Sequence, residues 1–158
     1  MSTTTYTTPY DSPVGRLVLE ADGEILIGIW LPSEGRTTTH SAGELPTVLK
    51  DTASQLDEYF AGERTEFDVP MELDGTDFQK DVWTELSRIP YGTTISYGEL
   101  ARRVGRPKGP RAVGQANGRN PIPIIVPCHR VLASNGIGGY GGGLPMKRAL
   151  LAVEGVTA

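Results

Sequence analysis

Ser96 to Gly118 reads SYGELARRVGRPKGPRAVGQANG. Ser96 is a helix-capping residue, and Glu99 three places on completes the pattern of a capping box. The helix it opens is predicted to run to about Val104. Gly105 to Pro110 supplies a turn, and Pro110 suits the first turn of a second helix over about 110–117, ended by Asn117-Gly118. Two short helices joined by a Gly-containing turn match the length and punctuation of a helix-turn-helix. The second helix carries unusually small side chains. A major-groove reader offers long polar side chains to base edges. Small residues such as Ala112 and Gly114 instead let the backbone approach closely, as a narrow groove requires. Arg111 is the one long cation at its start, suited to enter a base stack that a nucleotide has left. Ordinary Ala and Gly packing with a surface arginine fits the spacing equally well.

Downstream, Ile122-Pro123-Ile124-Ile125-Val126 leads into Pro127-Cys128-His129-Arg130, which holds the only cysteine of the chain. A thiol in apolar surroundings is normally inert, because burial disfavours the thiolate. The histidine and arginine that follow have the means to reverse that bias. On a strand, adjacent side chains point to opposite faces, so a bridging water is expected between Cys128 and His129 rather than direct contact. The other histidine, His40, lies in a polar stretch and reads as unrelated. Glu154 is the only acidic residue after Glu99. It ends a predicted helix over Leu144–Val153, where a negative charge opposes the helix dipole. A carboxylate set against His129 would orient the ring and raise its basicity, the logic of a nucleophilic relay. Asn120 can tie the end of the second helix to the cysteine turn through backbone hydrogen bonds. Tyr97 belongs either to the core or, by its hydroxyl, to a pocket. The glycines around Tyr140 lack the pattern of a P-loop or a dinucleotide site and read as a loop closing over a flat ligand.

Upstream, residues 5–31 read as β-structure, with Asp22-Gly23 as a hairpin signal. Apolar residues recur at helical spacing over about 46–61, stopping near Gly62. Phe67 to Leu73 reads as a further strand. Thr76 caps a helix carrying Phe78, Val82, Trp83 and Leu86, which Pro90-Tyr91-Gly92 breaks. The expected fold is therefore α+β, with a small N-terminal unit over 1–75 and a mainly helical unit over 76–158. Net charge is −4, but residues 1–87 carry 5 basic and 17 acidic side chains, whereas 88–158 carry 10 and 2. That split suits one half to a polyanion. No apolar run is long enough to span a membrane, and the N-terminus lacks a secretory pattern. One cysteine excludes an internal disulfide and any multi-cysteine zinc site. A reducing cytoplasm is the expected setting.

Pro127-Cys128-His129-Arg130-Val131 resembles the active-site signature of the O6-alkylguanine-DNA alkyltransferases. The resemblance extends through Phe78-Gln79, Ile89-Pro90-Tyr91-Gly92, Ser96-Tyr97, Arg111-Ala112-Val113-Gly114, Asn120-Pro121, Tyr140 with its glycines, and Glu154-Gly155. It implies an RNase H-like N-terminal domain and a helix-turn-helix placed in the minor groove of double-stranded DNA. Arg111 would fill the stack vacated by a flipped O6-alkylguanine, with Ala112, Gly114 and Arg130 also at the DNA. Cys128 would take the alkyl group irreversibly, with His129 and Glu154 moving its proton, Tyr97 donating to N3 of the base and Asn120 holding the hinge. Backbone carbonyls near Cys128 and Val131 would accept from the exocyclic amine, and the Tyr140–Gly141 loop would cover the base. The resemblance implies no metal or other cofactor, and a monomer is expected. The short segment before Tyr140 and the glycine at 141, where some relatives carry serine, bear on alkyl-group size. Two other readings compete: a non-catalytic binder of alkylated DNA, which the cysteine disfavours, and a winged-helix regulator with a redox thiol, which the small-residue helix disfavours.

Overall fold

A computed structural model describes residues 5–38, 44–105 and 109–157. His40 and the middle of the turn between the two short helices lie outside the described residues. Three antiparallel strands open the chain, β1 (Thr5–Ser12), β2 (Gly15–Asp22) and β3 (Ile25–Trp30), in the order β1-β2-β3. Asp22 pairs with Ile25 across a two-residue turn, with Gly23 at φ 57°, a conformation that glycine adopts without strain. Leu17, Leu19 and Ala21 of β2 lie buried and share one face of the sheet.

Helix α1 (Thr47–Phe60) covers the sheet with Val48, Leu49, Thr52, Leu56 and Tyr59. Its N-cap is Pro46, which has no side chain able to cap. Glu24 from the β2–β3 turn does the work instead, accepting from the amides of Thr47 at 3.2 Å and Val48 at 2.9 Å. These are two of the four amides that a helix start leaves unpaired.

The expected strand over Phe67–Leu73 does not form. A single bridge joins Leu26 to Met71, where Leu26 N donates to Pro70 O and Glu72 N to Leu26 O. Pro70 has no amide to extend the ladder. The segment is a strap whose Phe67, Val69 and Leu73 pack on the core.

Helix α2 (Asp77–Leu86) begins with a full capping box, Thr76 and Gln79 each bonding the other's amide. Helix α3 (Tyr97–Arg103) is capped by Ser96, which accepts from Glu99 N at 3.0 Å. The second half of that expected box is absent. The Glu99 carboxylate turns outward to Arg102 and Arg103, one helical turn ahead. Helix α4 (Pro110–Gly118) packs against α2 and α3, and Trp83 Nε1 donates to Ala116 O at 2.9 Å.

Two-residue parallel strands, β4 (Ile95–Ser96) and β5 (Val131–Leu132), join the start of α3 to the segment after the cysteine. Helix α5 (Leu144–Val153) closes the chain. One buried apolar cluster runs from Leu17 and Leu56 through Trp83 and Leu100 to Val131 and Leu150, so the strand-rich and helical parts share a core. No helix among the described residues is long and apolar enough to cross a membrane.

Candidate active site

Asn120 sets the approach to the cysteine. Its amide donates to Val126 O at 2.7 Å and accepts from Ile122 N at 2.9 Å, closing a turn in which Val126 N also bonds Ile122 O. Within this turn Ile124 sits at φ 76° and is 1 % exposed. A β-branched residue in the left-handed region costs about 1–3 kcal/mol and persists only where its surroundings enforce it. The prolines on both sides and the Asn120 clamp supply that enforcement.

Cys128–Arg130 then forms one turn of 3-10 helix, not a strand. Consecutive side chains therefore fan around an axis instead of alternating. Cys128 points to a pocket of about 250 Å³ whose wall includes Tyr97, Gly114, Asn117, Asn120, Tyr140 and Gly141. Leu31 and Glu34 from the N-terminal half complete that wall.

His129 and Arg130 turn inward. His129 is wholly buried, and its Nε2 lies 2.7 Å from Glu154 Oε2. Arg130 grips the same carboxylate, with Nε at 2.8 Å from Oε1 and a guanidinium nitrogen at 3.0 Å from Oε2, and it donates to Ile89 O at 2.6 Å. Tyr59 on α1 donates to Oε2 at 2.6 Å and Gly92 N to Oε1 at 3.2 Å. Burial by itself would raise the Glu154 pKa, but the bonds from His129, Arg130 and Tyr59 outweigh it and hold the carboxyl well below the usual range. An ionised Glu154 can only accept, so His129 carries its proton on Nε2. Its Nδ1 is left as a buried lone pair with no partner among the described residues. Burial lowers the His129 pKa, opposed by Glu154 and reinforced by Arg130 and Lys147, so the ring is neutral at pH 7.

Burial likewise raises the Cys128 pKa, opposed by Asn120, Tyr140, its own amide and the Lys147 ammonium. The resting group is a thiol. Lys147 on α5 is fully buried, and its three N–H bonds go to Val131 O at 2.7 Å, Ile137 O at 2.6 Å and Gly139 O at 3.0 Å. This pins the loop before Tyr140. Burial pushes the lysine down to about 8, with the cysteine opposing. Ser33 donates to Gly141 O at 3.0 Å, fastening the loop from the other side. A Cβ on Gly142 would stand 2.5 Å from Met146 Sδ and 3.2 Å from Leu31, so a larger residue here requires the Met146 side chain to move.

Of the residues singled out in the sequence, Cys128, Tyr97, Asn120, Gly114, Tyr140 and Gly141 line one pocket, with His129 and Glu154 directly behind it. Arg111 and Ala112 lie exposed on α4, outside the pocket. One expectation needs correction. Arg130 is only 7 % exposed and committed to Glu154 and Ile89, so it is not at a DNA-facing surface. The Val131 side chain is fully buried in β5, and its carbonyl accepts from Lys147 with one lone pair left over. Three residues escaped the sequence reading. Tyr59 reads as one apolar position of an amphipathic helix, Asn117 as a helix stop, and Lys147 as an unremarked residue of the last helix. None carries a local signal of its partner.

Comparison with known proteins agrees along the whole chain. Residues 5–73 match the ribonuclease-like domain, and residues 77–156 the DNA-binding domain, of 6-O-methylguanine DNA methyltransferase. The methylated-DNA–protein-cysteine methyltransferase of Mycobacterium tuberculosis H37Rv is 50 % identical over 147 residues, covering 91 % of this chain and 88 % of that one. The constitutive methylated-DNA–protein-cysteine methyltransferase of Bacillus subtilis is 41 % identical over 159 residues, covering 96 % of both. The crystal structure of Mycobacterium tuberculosis OGT in complex with DNA superposes with a TM-score of 0.84 at 49 % identity, covering 95 % of this chain and 91 % of that one. With a single buried thiol at the foot of a pocket, a histidine–carboxylate pair behind it and relatives of this kind along its full length, the chain belongs to the 6-O-methylguanine DNA methyltransferase family.

Proposed function

We propose that this protein repairs DNA by direct reversal, moving an alkyl group, chiefly methyl, from O6 of guanine onto its own Cys128 in a single turnover. The observation that carries the reading is the Cys128–His129–Glu154 arrangement. The sulfur faces the pocket, the imidazole is fixed by its Nε2 on an ionised carboxylate, and its Nδ1 is free to receive a proton. The thiol proton passes through water to Nδ1. The thiolate attacks the alkyl carbon in line, the S–C bond forms as the C–O6 bond breaks, and guanine leaves with the electron pair. Its anion regains a proton from the imidazolium through solvent, so the enzyme keeps only the alkyl group. Glu154 stabilises the transient imidazolium. The Tyr97 hydroxyl, placed at the pocket wall, neutralises charge building on the leaving purine at N3. A thioether does not leave, so each molecule acts once, and no cofactor enters the scheme.

The base reaches the pocket by flipping out of double-stranded DNA. Arg111 stands exposed at the start of α4 and makes no hydrogen bond or ion pair with the described residues, which suits it to fill the vacated stack. A Cβ on Gly114 would meet only the Tyr97 ring at 3.8 Å. Packing within the protein therefore does not demand glycine there, whereas close approach of a DNA backbone does. Residues 1–75 and 76–158 act as two domains of one monomer, and a reducing cytoplasm keeps the thiol available. The cysteine favours this function over passive binding of alkylated DNA.

Mass spectrometry after mixing with a duplex holding one O6-methylguanine tests the reading. One added methyl on Cys128 is expected, lost in Cys128→Ser while duplex binding survives. Unmodified Cys128 with a persisting lesion overturns it.

A further inference from the structure

We infer that Glu34 is a specificity-determining residue that sets the pocket against lesions whose O6 group carries a negative charge, leaving neutral groups as the preferred substrates. The inference rests on the alkyl-transfer reading above and names the class of adduct within it. Among the described residues that line the cavity facing Cys128, Glu34 alone is acidic and none is a lysine or arginine. The other wall groups able to ionise, Cys128, Tyr97 and Tyr140, stay protonated at pH 7, because burial raises each of them. The carboxylate is anchored. It closes the turn of 3-10 helix Pro32–Glu34, where its Oε1 accepts from Leu31 N at 2.7 Å. Leu31 is 7 % exposed and lines the same cavity. Ser33, in the middle of that turn, donates to Gly141 O and so ties it to the loop over the pocket.

A cavity of about 250 Å³ is only roughly 8 Å across, and unit charges at that separation still repel one another through water. Tyr140 registers the field within the wall. It adjoins the sulfur, and Glu34 is one of the charges that keep its hydroxyl protonated. Lys147 is a cation that acts on the same sulfur, but its three N–H bonds are spent on backbone carbonyls. It has no N–H left to offer an incoming anion. A carboxylate carried on O6 therefore meets like charge in the wall and no free cationic donor among the residues that line it. A methyl group, or a larger neutral group, gives Glu34 nothing to repel. The base that fills the cavity displaces its water, which weakens the screening between the two charges.

Iodoacetate and iodoacetamide bring the same methylene carbon to a thiol in nearly the same shape and differ by one negative charge. Cys128 is the only cysteine, so the gain in intact mass reads its alkylation alone. Rates with the two reagents, without DNA and at low salt, are to be measured for wild type and Glu34→Gln. Glutamine keeps an oxygen for Leu31 N. A loosened loop or a more reactive thiol would speed both reagents alike and cancel in the ratio. The iodoacetate-to-iodoacetamide ratio is expected to rise by roughly threefold or more in Glu34→Gln, and that gain to shrink in about 1 M salt. The same comparison is then made by single-turnover transfer from duplexes holding O6-carboxymethylguanine or its neutral isostere O6-carbamoylmethylguanine, with a shift in the same direction expected. A reagent ratio that Glu34→Gln leaves unmoved, or a gain indifferent to salt, overturns the assignment while the transfer reading stands. A lesion ratio that does not shift, or a pocket that accepts neither adduct in either protein, overturns it equally. Absence of any methyl on wild-type Cys128 from an O6-methylguanine duplex overturns both.

Discussion

Replacing Glu154 by glutamine removes one charge and almost no volume, and the structure sets the size of the effect. Five donors converge on the carboxylate, from Tyr59, His129, Gly92 and two nitrogens of Arg130. Glutamine keeps one oxygen and turns an NH2 group toward at least two of those donors. Arg130, 7 % exposed, loses its counter-charge. Breaking one side of a buried ion pair costs about 3–5 kcal/mol, and each kcal/mol shifts the melting temperature of a domain this size by about 2–4 °C. Glu154→Gln should therefore melt roughly 6–20 °C below wild type at pH 7. The Glu154 pKa is depressed in the folded state, so its contribution is fully present above the unfolded value of about 4.3 and is lost as pH falls through the lower folded value. The stability gap between the two proteins should narrow below about pH 4. Transfer from O6-methylguanine DNA should slow by about a hundredfold or more, because His129 loses the partner that makes it a base. Denaturation curves at pH 7 and pH 3, with single-turnover rates, provide the measurements. A gap below about 1 kcal/mol at pH 7, or one that does not narrow in acid, refutes the reasoning.

Tyr59→Phe removes one hydroxyl from Glu154 Oε2 and leaves the ring packing intact. The carboxylate charge then acts more fully on His129, raising its pKa, so the acid limb of the pH–rate profile should move upward. An unmoved limb with a lower yield of folded protein would mean that the tyrosine only fills space. Lys147→Met breaks the three bonds that hold the loop before Tyr140 and removes a cation that favours the thiolate. It should speed proteolytic cleavage between residues 135 and 143 and slow transfer about tenfold or more. In wild type the lysine loses its proton as pH rises through about 8, so transfer should decline above that pH, and Lys147→Met should lack that decline.

The helix starts were legible because their signals are local. Thr76 and Ser96 sit immediately before apolar periodicity, and each accepts the amide expected of it. The thiol, the histidine and the lone acidic residue near the end were legible because few residues of their kind occur in that half. Tyr59 was not, since its partner lies 95 residues away and helical spacing tells only that its face is buried. The capping role of Glu24 was not legible, because nothing nearby shows that a helix beginning at Thr47 will have a proline at its cap. Arg130 was placed at the DNA through the family resemblance, and the residues around it in the sequence carry no sign of its buried partners. The turn of 3-10 helix sends it inward to Glu154 and Ile89, partners that lie 24 and 41 residues away in the sequence.

Leu31, Ser33 and Glu34 belong to the first half of the chain, yet they wall or fasten the cavity in front of the sulfur. The ceiling of that cavity is thus contributed by the first half of the chain, whereas the thiol and its proton relay belong to the second. A chimera that takes residues 1–75 from another member of the family would inherit that ceiling. Tolerance for bulkier adducts would then follow the origin of the first half, even with every residue of the relay unchanged.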